Sequence, residues 1–405
     1  MDYFKVLLII SCLFCLISGL GDEDITCRAT SCKNAVCDPV NSKCSTSITN
    51  SGVYMLSPDI CNCCEYCLQN LAQGDTCSVG DPSQNKFTSI CGPGLACLVS
   101  SESSSDGTCQ PMSTSCAKEQ QSYDIRRKNG YLGTMETRAL CDEDGFYGKY
   151  KCIPGQSCYC LHSNGSRIFG EKNYNTLNDY MSCACSRAYY DAVDTIGREL
   201  YPHEHFKCNS DGSFASLQCI NEECLCVDSQ DGAPTYPDDA LVKIDEINKE
   251  TLPCYTSTKQ GQYYTKCEKE FLNIYKEVQE LKRKNSYNLI LGYKYPKCDL
   301  DGSYQAVQEN FTHKYCVDKE GNMLTSPILK TNSLAAAMDC KCVRATLLIS
   351  TAEKPSCQEN GNYEQVQCRR GVCRCVDSDG NQKCSSTTKL CEEMDEKEST
   401  KLTCS

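Results

Sequence analysis

Four times after Cys116 the chain repeats one spacing. A second and a third position of each unit lie 11 residues apart, at Cys141 and Cys152, Cys208 and Cys219, Cys298 and Glu309, and Cys357 and Cys368. A fixed step recurring between cysteines means that one disulfide-stapled module has been duplicated, so this sequence predicts a row of small units and no single large core. Composition agrees, because cysteine supplies 38 of 405 residues while tryptophan is absent and there are only nine phenylalanines. Each staple stabilises by about 2–4 kcal/mol, largely by restricting the unfolded chain, and that replaces much of the apolar burial a small module lacks.

The first residues, Met1-Asp2-Tyr3-Phe4-Lys5, precede an apolar run from Val6 to Leu20, with Ser18, Gly19 and Gly21 supplying small residues near its end. This reads as a signal peptide over 1–20, too short for a bilayer span and followed by acidic Asp22, Glu23 and Asp24. Its removal takes away Cys12 and Cys15 and leaves an even set of cysteines, so the expectation is a secreted, extracellular chain without free thiols. A net charge of −12 argues against nucleic acid as a partner, which needs a concentrated basic surface. No later stretch is apolar enough to predict a membrane partner.

The spacing divides the mature chain into 21–112, with twelve cysteines, then 113–184, 185–255, 256–341 and a short 342–385, ending in an acidic tail, 386–405. The first repeat holds Cys116, Cys141, Cys152, Cys158, Cys160 and Cys183, and the second Cys185, Cys208, Cys219, Cys224, Cys226 and Cys254. The third has only Cys267, Cys298, Cys316 and Cys340, and the fourth Cys342, Cys357, Cys368, Cys373, Cys375 and Cys384. Cys391 and Cys404 remain, and are expected to pair with each other in the tail. After each first cysteine a helix is expected. Phe271, Tyr275, Val278 and Leu281 share one face in the third unit, with Glu268 and Glu270 at its start and Lys282, Arg283 and Lys284 at its end, as the helix dipole favours. Tyr189, Val193, Ile196 and Leu200 form a comparable core stripe in the second. Asp144-Gly145, Asp211-Gly212, Asp301-Gly302 and Asn360-Gly361 then mark turns, each followed by an aromatic two residues on: Tyr147, Phe214, Tyr304 and Tyr363. The predicted fold class is therefore small disulfide-rich modules of irregular α+β type, each repeat a short helix followed by a small antiparallel β hairpin or sheet.

Gln218-Cys219 with Cys224-Leu225-Cys226-Val227, Gln367-Cys368 with Cys373-Arg374-Cys375-Val376, and the looser Cys158-Tyr159-Cys160-Leu161 give the repeats a signature. On these motifs residues 116–384 resemble the thyroglobulin type-1 family, whose Gln-Cys pair is followed by Cys-Trp-Cys-Val. Tyr159, Leu225, Tyr315 and Arg374 stand where that family has tryptophan. The resemblance implies pairing of first with second, third with fourth and fifth with sixth cysteine. Glu309 and Lys314 fit this, since they occupy the third and fourth positions of the third unit and both cysteines are lost together; an ion pair between them would span the gap.

No nucleophile elbow, paired carboxylates or cysteine–histidine protease motif appears, so no enzyme and no cofactor is expected. The Cys64-x-x-Cys67 pair and the loop histidines His203 and His205 are read as disulfide and solvated residues, not metal ligands. Asn164-Gly165-Ser166 and Asn310-Phe311-Thr312 are glycosylation sequons on expected loops. Some thyroglobulin type-1 modules block papain-like cysteine proteases, of the extracellular or lysosomal type, with a wedge formed by the loop before the second cysteine and the loop between the third and fourth. The resemblance carries that role to Tyr201, Pro202, His203, Glu204, His205, Phe206 and Leu225 in the second unit, and to Leu289, Ile290, Leu291, Gly292, Tyr293 and Tyr295 in the third. The twelve-cysteine segment, through Cys61-Asn62-Cys63-Cys64-Glu65-Tyr66-Cys67 and Cys91-Gly92-Pro93-Gly94-Leu95-Ala96-Cys97, resembles the amino-terminal domain of insulin-like growth factor-binding proteins. That implies binding of insulin-like peptides or growth factors, with Val79 as the matching contact. The same layout resembles small secreted arthropod protease inhibitors, and a non-inhibitory extracellular interaction module is a third alternative.

Overall fold

The computed structural model describes residues 52–56, 65–78, 89–92, 94–99 and 106–404, apart from 130, 143, 175–180, 221, 236–240, 248–251, 256–262, 287, 350–353, 370 and 385–390. The chain forms two compact units, Met1–Lys118 with Cys141–Gly145, and Glu119–Leu140 with Phe146–Ser405. In the first, β1 (Gly52–Leu56), β2 (Glu65–Leu71) and β4 (Ser89–Cys91) make one sheet in which β4 lies parallel to β2. The second sheet is antiparallel, β3 (Thr76–Ser78), β6 (Asp106–Pro111) and β5 (Leu95–Val99) in that order. Cys77–Cys97 joins β3 to β5 and Cys91–Cys109 joins β4 to β6, so the short strands are held by bonds and not by a wide apolar face.

Each repeat is a helix, a glycine turn and a three-stranded antiparallel sheet. The first has α1 (Ser115–Lys128) with β7 (Tyr150–Ile153), β8 (Ser157–Leu161) and β9 (Arg167–Asn173); the second has α2 (Ala184–Ile196) with β10 (Leu217–Ile220), β11 (Glu223–Cys226) and β12 (Val242–Lys243). The third has α3 (Lys266–Asn285), β13 (Val307–Glu309), β14 (His313–Cys316), β15 (Ile328–Leu329) and the one-turn α4 (Ser333–Ala336). The fourth has α5 (Lys341–Leu348), β16 (Val366–Arg369), β17 (Val372–Cys375) and β18 (Glu393–Asp395), then a 3-10 helix over Glu396–Lys401. This is the disulfide-rich α+β class the sequence predicts.

The bonds run in order along the first three repeats: Cys116–Cys141, Cys152–Cys158 and Cys160–Cys183, then Cys185–Cys208, Cys219–Cys224 and Cys226–Cys254, then Cys267–Cys298 and Cys316–Cys340. The fourth begins the same way, with Cys342–Cys357 and Cys368–Cys373. Its last bond corrects the expectation for the tail: Cys375 pairs with Cys404, and Cys384 with Cys391. The fifth-to-sixth separations of the other repeats are 23, 28 and 24 residues, and Cys375–Cys404 at 29 matches them, whereas Cys384 comes far too soon. The acidic tail is thus part of the fourth sheet, with β18 paired to β17.

The turn signal has a packing reason that its dipeptide alone does not show. Phe214, Tyr304 and Tyr363 are buried, each bridging back to the second cysteine of its repeat, Cys208, Cys298 or Cys357. A second glycine closes over each ring: a Cβ on Gly232, Gly321 or Gly380 would stand 2.8, 2.9 or 2.8 Å from the ring carbons, and all three glycines have positive φ. Glycine is required there both for conformation and for the close approach.

Neighbouring repeats share a junction. Cys183 and Cys340, the last cysteines of repeats one and three, hold left-handed φ of 52° and 60° and start the next helix directly. Two residues past each Cys-x-Cys an arginine reaches back to two carbonyls of the preceding repeat. Arg187 donates to Leu161 and Tyr147 at 2.8 and 2.6 Å, and Arg344 donates to Val317 and Tyr304. The second and third repeats meet instead through buried Glu268, which closes a capping box with Thr265 at the start of α3 and pairs with Lys207 at 2.9 Å. The fourth repeat returns to the first. Arg369 donates to the carbonyls of Pro154 and Gly155 at 2.9 and 3.0 Å, and the Tyr159 hydroxyl, beneath the Arg167 guanidinium, contacts Asn381.

The predicted helix faces hold in part. Phe271 and Val278 are buried on α3, with Glu268 in its first turn and Lys282, Arg283 and Lys284 in its last. On α2, Tyr189 packs into the core, but Ile196 is 39% exposed and Gly197 caps the helix, so Leu200 lies beyond it.

Candidate functional site

The third repeat projects two loops from one base. Ser286, left-handed at φ 54°, ends α3, and the chain then rises through Leu289-Ile290-Leu291 to Gly292 at φ 93° before returning to Cys298. Its descending limb is anchored: the Tyr293 hydroxyl donates to Glu277 on α3 at 2.7 Å, and the Tyr295 ring packs on Phe271 with centroids 5.0 Å apart. The apex is not. Leu289 is 69% exposed and Leu291 81% exposed, with Ile290 half-buried between them.

The second loop is the β13–β14 turn, where Phe311 is 66% exposed. Asn310 Oδ1 accepts from the backbone N–H of Thr312 and His313 at 2.9 and 2.7 Å, which gives the turn its shape. Glu309 and Lys314 face each other across the ladder in the same register as Cys219 with Cys224, but the expected ion pair between them does not form. The Glu309 carboxylate instead binds Lys294, from the first loop, and Lys330, just past β15, the latter at 3.2 Å. The Lys294 hydrogen bond, with Lys330 in support, holds the Glu309 carboxyl down to about 2 against the cost of its partial burial. A clamp between loops therefore stands where the other repeats have a bond within one hairpin. Sequence reasoning missed it because neither lysine is periodic with Glu309, although Lys294 does lie inside the candidate loop.

The segment that carries both loops is basic in an acidic chain. Residues 282–314 carry six lysines and arginines against three aspartates and glutamates, while the whole chain has a net charge of −12.

The corresponding segment of the second repeat packs on α3 in part, with Tyr201 still 39% exposed. The Tyr201 ring lies tilted against Phe271 and Tyr275 of α3 at 5.5 and 5.4 Å, and His203 against Tyr275 at 5.1 Å. His205 is buried edge-on to Tyr189, Phe206 and Leu225 pack into the core cluster around Cys208 and Phe214, and Pro202 is half-buried. Burial lowers the proton affinity of both His203 and His205. Glu204 accepts a two-armed pair from Arg198; burial opposes its ionisation, but that pair and the Tyr201 N–H prevail and lower its pKa. Loops of repeats one and four cover each other. Arg369 sits on Pro154-Gly155, and Arg374, at a tryptophan position, binds Thr134 and Glu393. Of the other tryptophan positions, Tyr159 is buried.

Asn164 is exposed on the β8–β9 turn and Asn310 on the β13–β14 turn. Val79 lies outside the described residues. Among the described residues two groups could be taken for metal sites, Cys77 with Cys91 and Cys109, and Glu136 with Cys384 and Cys391. Every sulfur in them is in a disulfide, and Arg126 holds the Glu136 carboxylate at 2.5 Å, so neither offers a thiolate. Among the described residues no helix is long and apolar enough to cross a membrane.

A family model for the thyroglobulin type-1 repeat matches residues 191–240, 267–340 and 346–394. Those three stretches, under half of the chain, are similar to thyroglobulin type-1 repeats. The matched stretches begin in the second; the first repeat has the same bonds and the same sheet, and its likeness rests on them. Human thyroglobulin is 22% identical over 322 residues, which is 64% of this chain but 11% of thyroglobulin. Equistatin of Actinia equina is 24% identical over 237 residues, covering 56% of this chain and 84% of equistatin. U20-hexatoxin-Hi1a of Hadronyche infensa is 30% identical over 86 residues, 20% of this chain and 59% of the toxin. The chain thus spans about a tenth or less of the thyroglobulins it matches.

Proposed function

We propose that this protein is a secreted inhibitor of papain-like cysteine proteases and that its inhibitory surface is the third repeat, entering the cleft with Leu289, Ile290 and Leu291 and with Phe311. The observation that supports the reading most is the contrast in exposure. The third repeat presents Leu289 and Leu291 at one loop apex, 69% and 81% exposed, with Phe311 at 66% on the adjoining turn, against 39% for Tyr201 in the second repeat and 49% and 53% for Tyr131 and Leu140 in the first. Singly exposed leucines are ordinary on protein surfaces, but two at one loop apex, beside a phenylalanine on an adjoining turn, make a candidate interface. Cys267–Cys298, the Tyr293 and Tyr295 anchors and the Lys294–Glu309 clamp hold the loops before any partner arrives, which lowers the ordering cost of binding.

Titration of papain with the full chain tests this. Wild type should inhibit at stoichiometric amounts, and Leu289→Ala/Leu291→Ala should weaken inhibition roughly 100- to 1,000-fold, at about 2 kcal/mol per buried anchor. A double variant as potent as wild type would place the activity elsewhere in the chain.

A further inference from the structure

The second loop of the proposed surface contains its own modification sequence, Asn310-Phe311-Thr312, between the two positions where the other repeats have a disulfide. We propose that a glycan on Asn310 gates this surface: the chain glycosylated at Asn310 does not enter a protease cleft, and the chain lacking that glycan does. The inference rests on the third repeat being the inhibitory one.

Geometry carries it. Asn310 is exposed, and its Oδ1 accepts from the N–H of Thr312 and of His313, with the Thr312 hydroxyl 3.2 Å away. Two backbone donors fix which amide atom faces the turn, so Nδ2 points out of it and has no partner among the described residues. Phe311, the next residue, is exposed on the same turn, so a sugar on Nδ2 would stand within one residue of its ring. Through Glu309 and Lys294 that turn shares a base with the Leu289–Leu291 apex, so a branched glycan there would stand beside both loops. The loss of the middle disulfide bears on the same point. In the second and fourth repeats this turn is closed by Cys219–Cys224 or Cys368–Cys373, five residues apart; in the third Glu309 and Lys314 hold those positions and no disulfide crosses the turn, so the sequon stays open to a transferase until the repeat folds. In that transfer the Asn310 Nδ2–C1 bond forms, the C1–O bond to a lipid-linked diphosphate donor breaks, and the amide proton passes to a base of the transferase. The Asn164 turn provides the control. Its Oδ1 likewise accepts a backbone N–H, from Ser166 at 2.8 Å, but it lies on the first repeat.

The experiment uses the full chain secreted from a glycosylating eukaryotic host, with peptide mass spectrometry for occupancy at each sequon and papain as the probe. Occupied and unoccupied forms at Asn310 are separated on a lectin column in an Asn164→Gln background, and the occupied form is also treated with peptide N-glycosidase. Asn310 should be occupied in part or all of the secreted chain, the occupied form should inhibit at least 100-fold more weakly, and enzymatic removal, which hydrolyses the side-chain amide to a carboxylate, should restore the potency of an Asn310→Asp variant. An Asn310 that is never occupied overturns the gate, as does equal potency of the two forms, and both results leave the inhibitory reading standing. If neither form inhibits papain, the inhibitory reading fails and takes the gate with it.

Discussion

Replacing Lys207 with methionine tests whether the second and third repeats are one rigid body. The Glu268 side chain is 1% exposed and its Oε2 lies 2.9 Å from Lys207 Nζ, which also donates to the Tyr263 carbonyl at 2.6 Å and sits 4.1 Å from the centre of the Tyr263 ring. Methionine keeps the length of the stem and deletes the charge, leaving a desolvated carboxylate with only the Thr265 cap as donor. Removing one partner of a buried ion pair costs about 3–5 kcal/mol, because the remaining charge keeps its desolvation penalty. The retained cap places the expected loss near 3 kcal/mol. Urea unfolding with disulfides intact, followed by tyrosine fluorescence since the chain has 24 tyrosines and no tryptophan, measures it. Adding Glu268→Gln to Lys207→Met should recover at least half of the loss, because a neutral amide tolerates the site better than an unpaired carboxylate. Papain inhibition below the transition should be unchanged, as neither residue belongs to the proposed surface. A loss under 1 kcal/mol, or additive single and double variants, would refute the junction as a buried and coupled pair.

Glu309→Cys/Lys314→Cys should restore the middle bond of the third repeat, since these positions share the register of Cys219 with Cys224; loop closure predicts a gain of about 2 kcal/mol, less up to about 1 for the lost clamp, and thiols that stay free to alkylation would disprove the equivalence. Burial, with Asp301 beside it, pushes the Asp299 carboxyl up to about 7 against the pull of Arg344 and Lys319. The folded state therefore holds this proton after the unfolded chain has lost it: the contribution is complete below about pH 4, declines as pH rises, and is gone above about 7. Asp299→Asn should flatten that slope, which is on the order of 4 kcal/mol at most, and raise stability at pH 7.5; an unchanged slope between pH 4 and 7.5 would contradict it.

What the sequence made legible is what lies within one repeat. Cysteine order, the Asp-Gly turns and the buried face of α3 through Phe271 and Val278 are all set by residues a few turns apart, so their spacing exposes them. Cys375–Cys404 also left a signal, because its separation matches the other repeats and that of Cys384 does not; grouping cysteines by sixes hid it. Contacts between repeats leave no such trace. Nothing periodic links Arg369 to Pro154, or Tyr201 to Tyr275, and the loop from Tyr201 to Phe206 reads as a free wedge until α3 is seen to pack on part of it.

In the third repeat a missing middle disulfide and two exposed loop tips occur together. In the first and fourth repeats the turn between the third and fourth cysteine is itself a contact surface, Pro154-Gly155 against Arg369, and a covalently fixed turn keeps that match in register. The β13–β14 turn of the third repeat bears no such contact through Phe311, which points to solvent. Its geometry has only to be held from below, and Glu309 between Lys294 and Lys330 does this with side chains that also fix the foot of the neighbouring loop. A partly exposed pair of this kind contributes little to overall stability, about 1 kcal/mol. Its consequence is positional: substituting Lys294 should loosen the two loops relative to each other, and so weaken inhibition, while leaving the fold almost as stable as before.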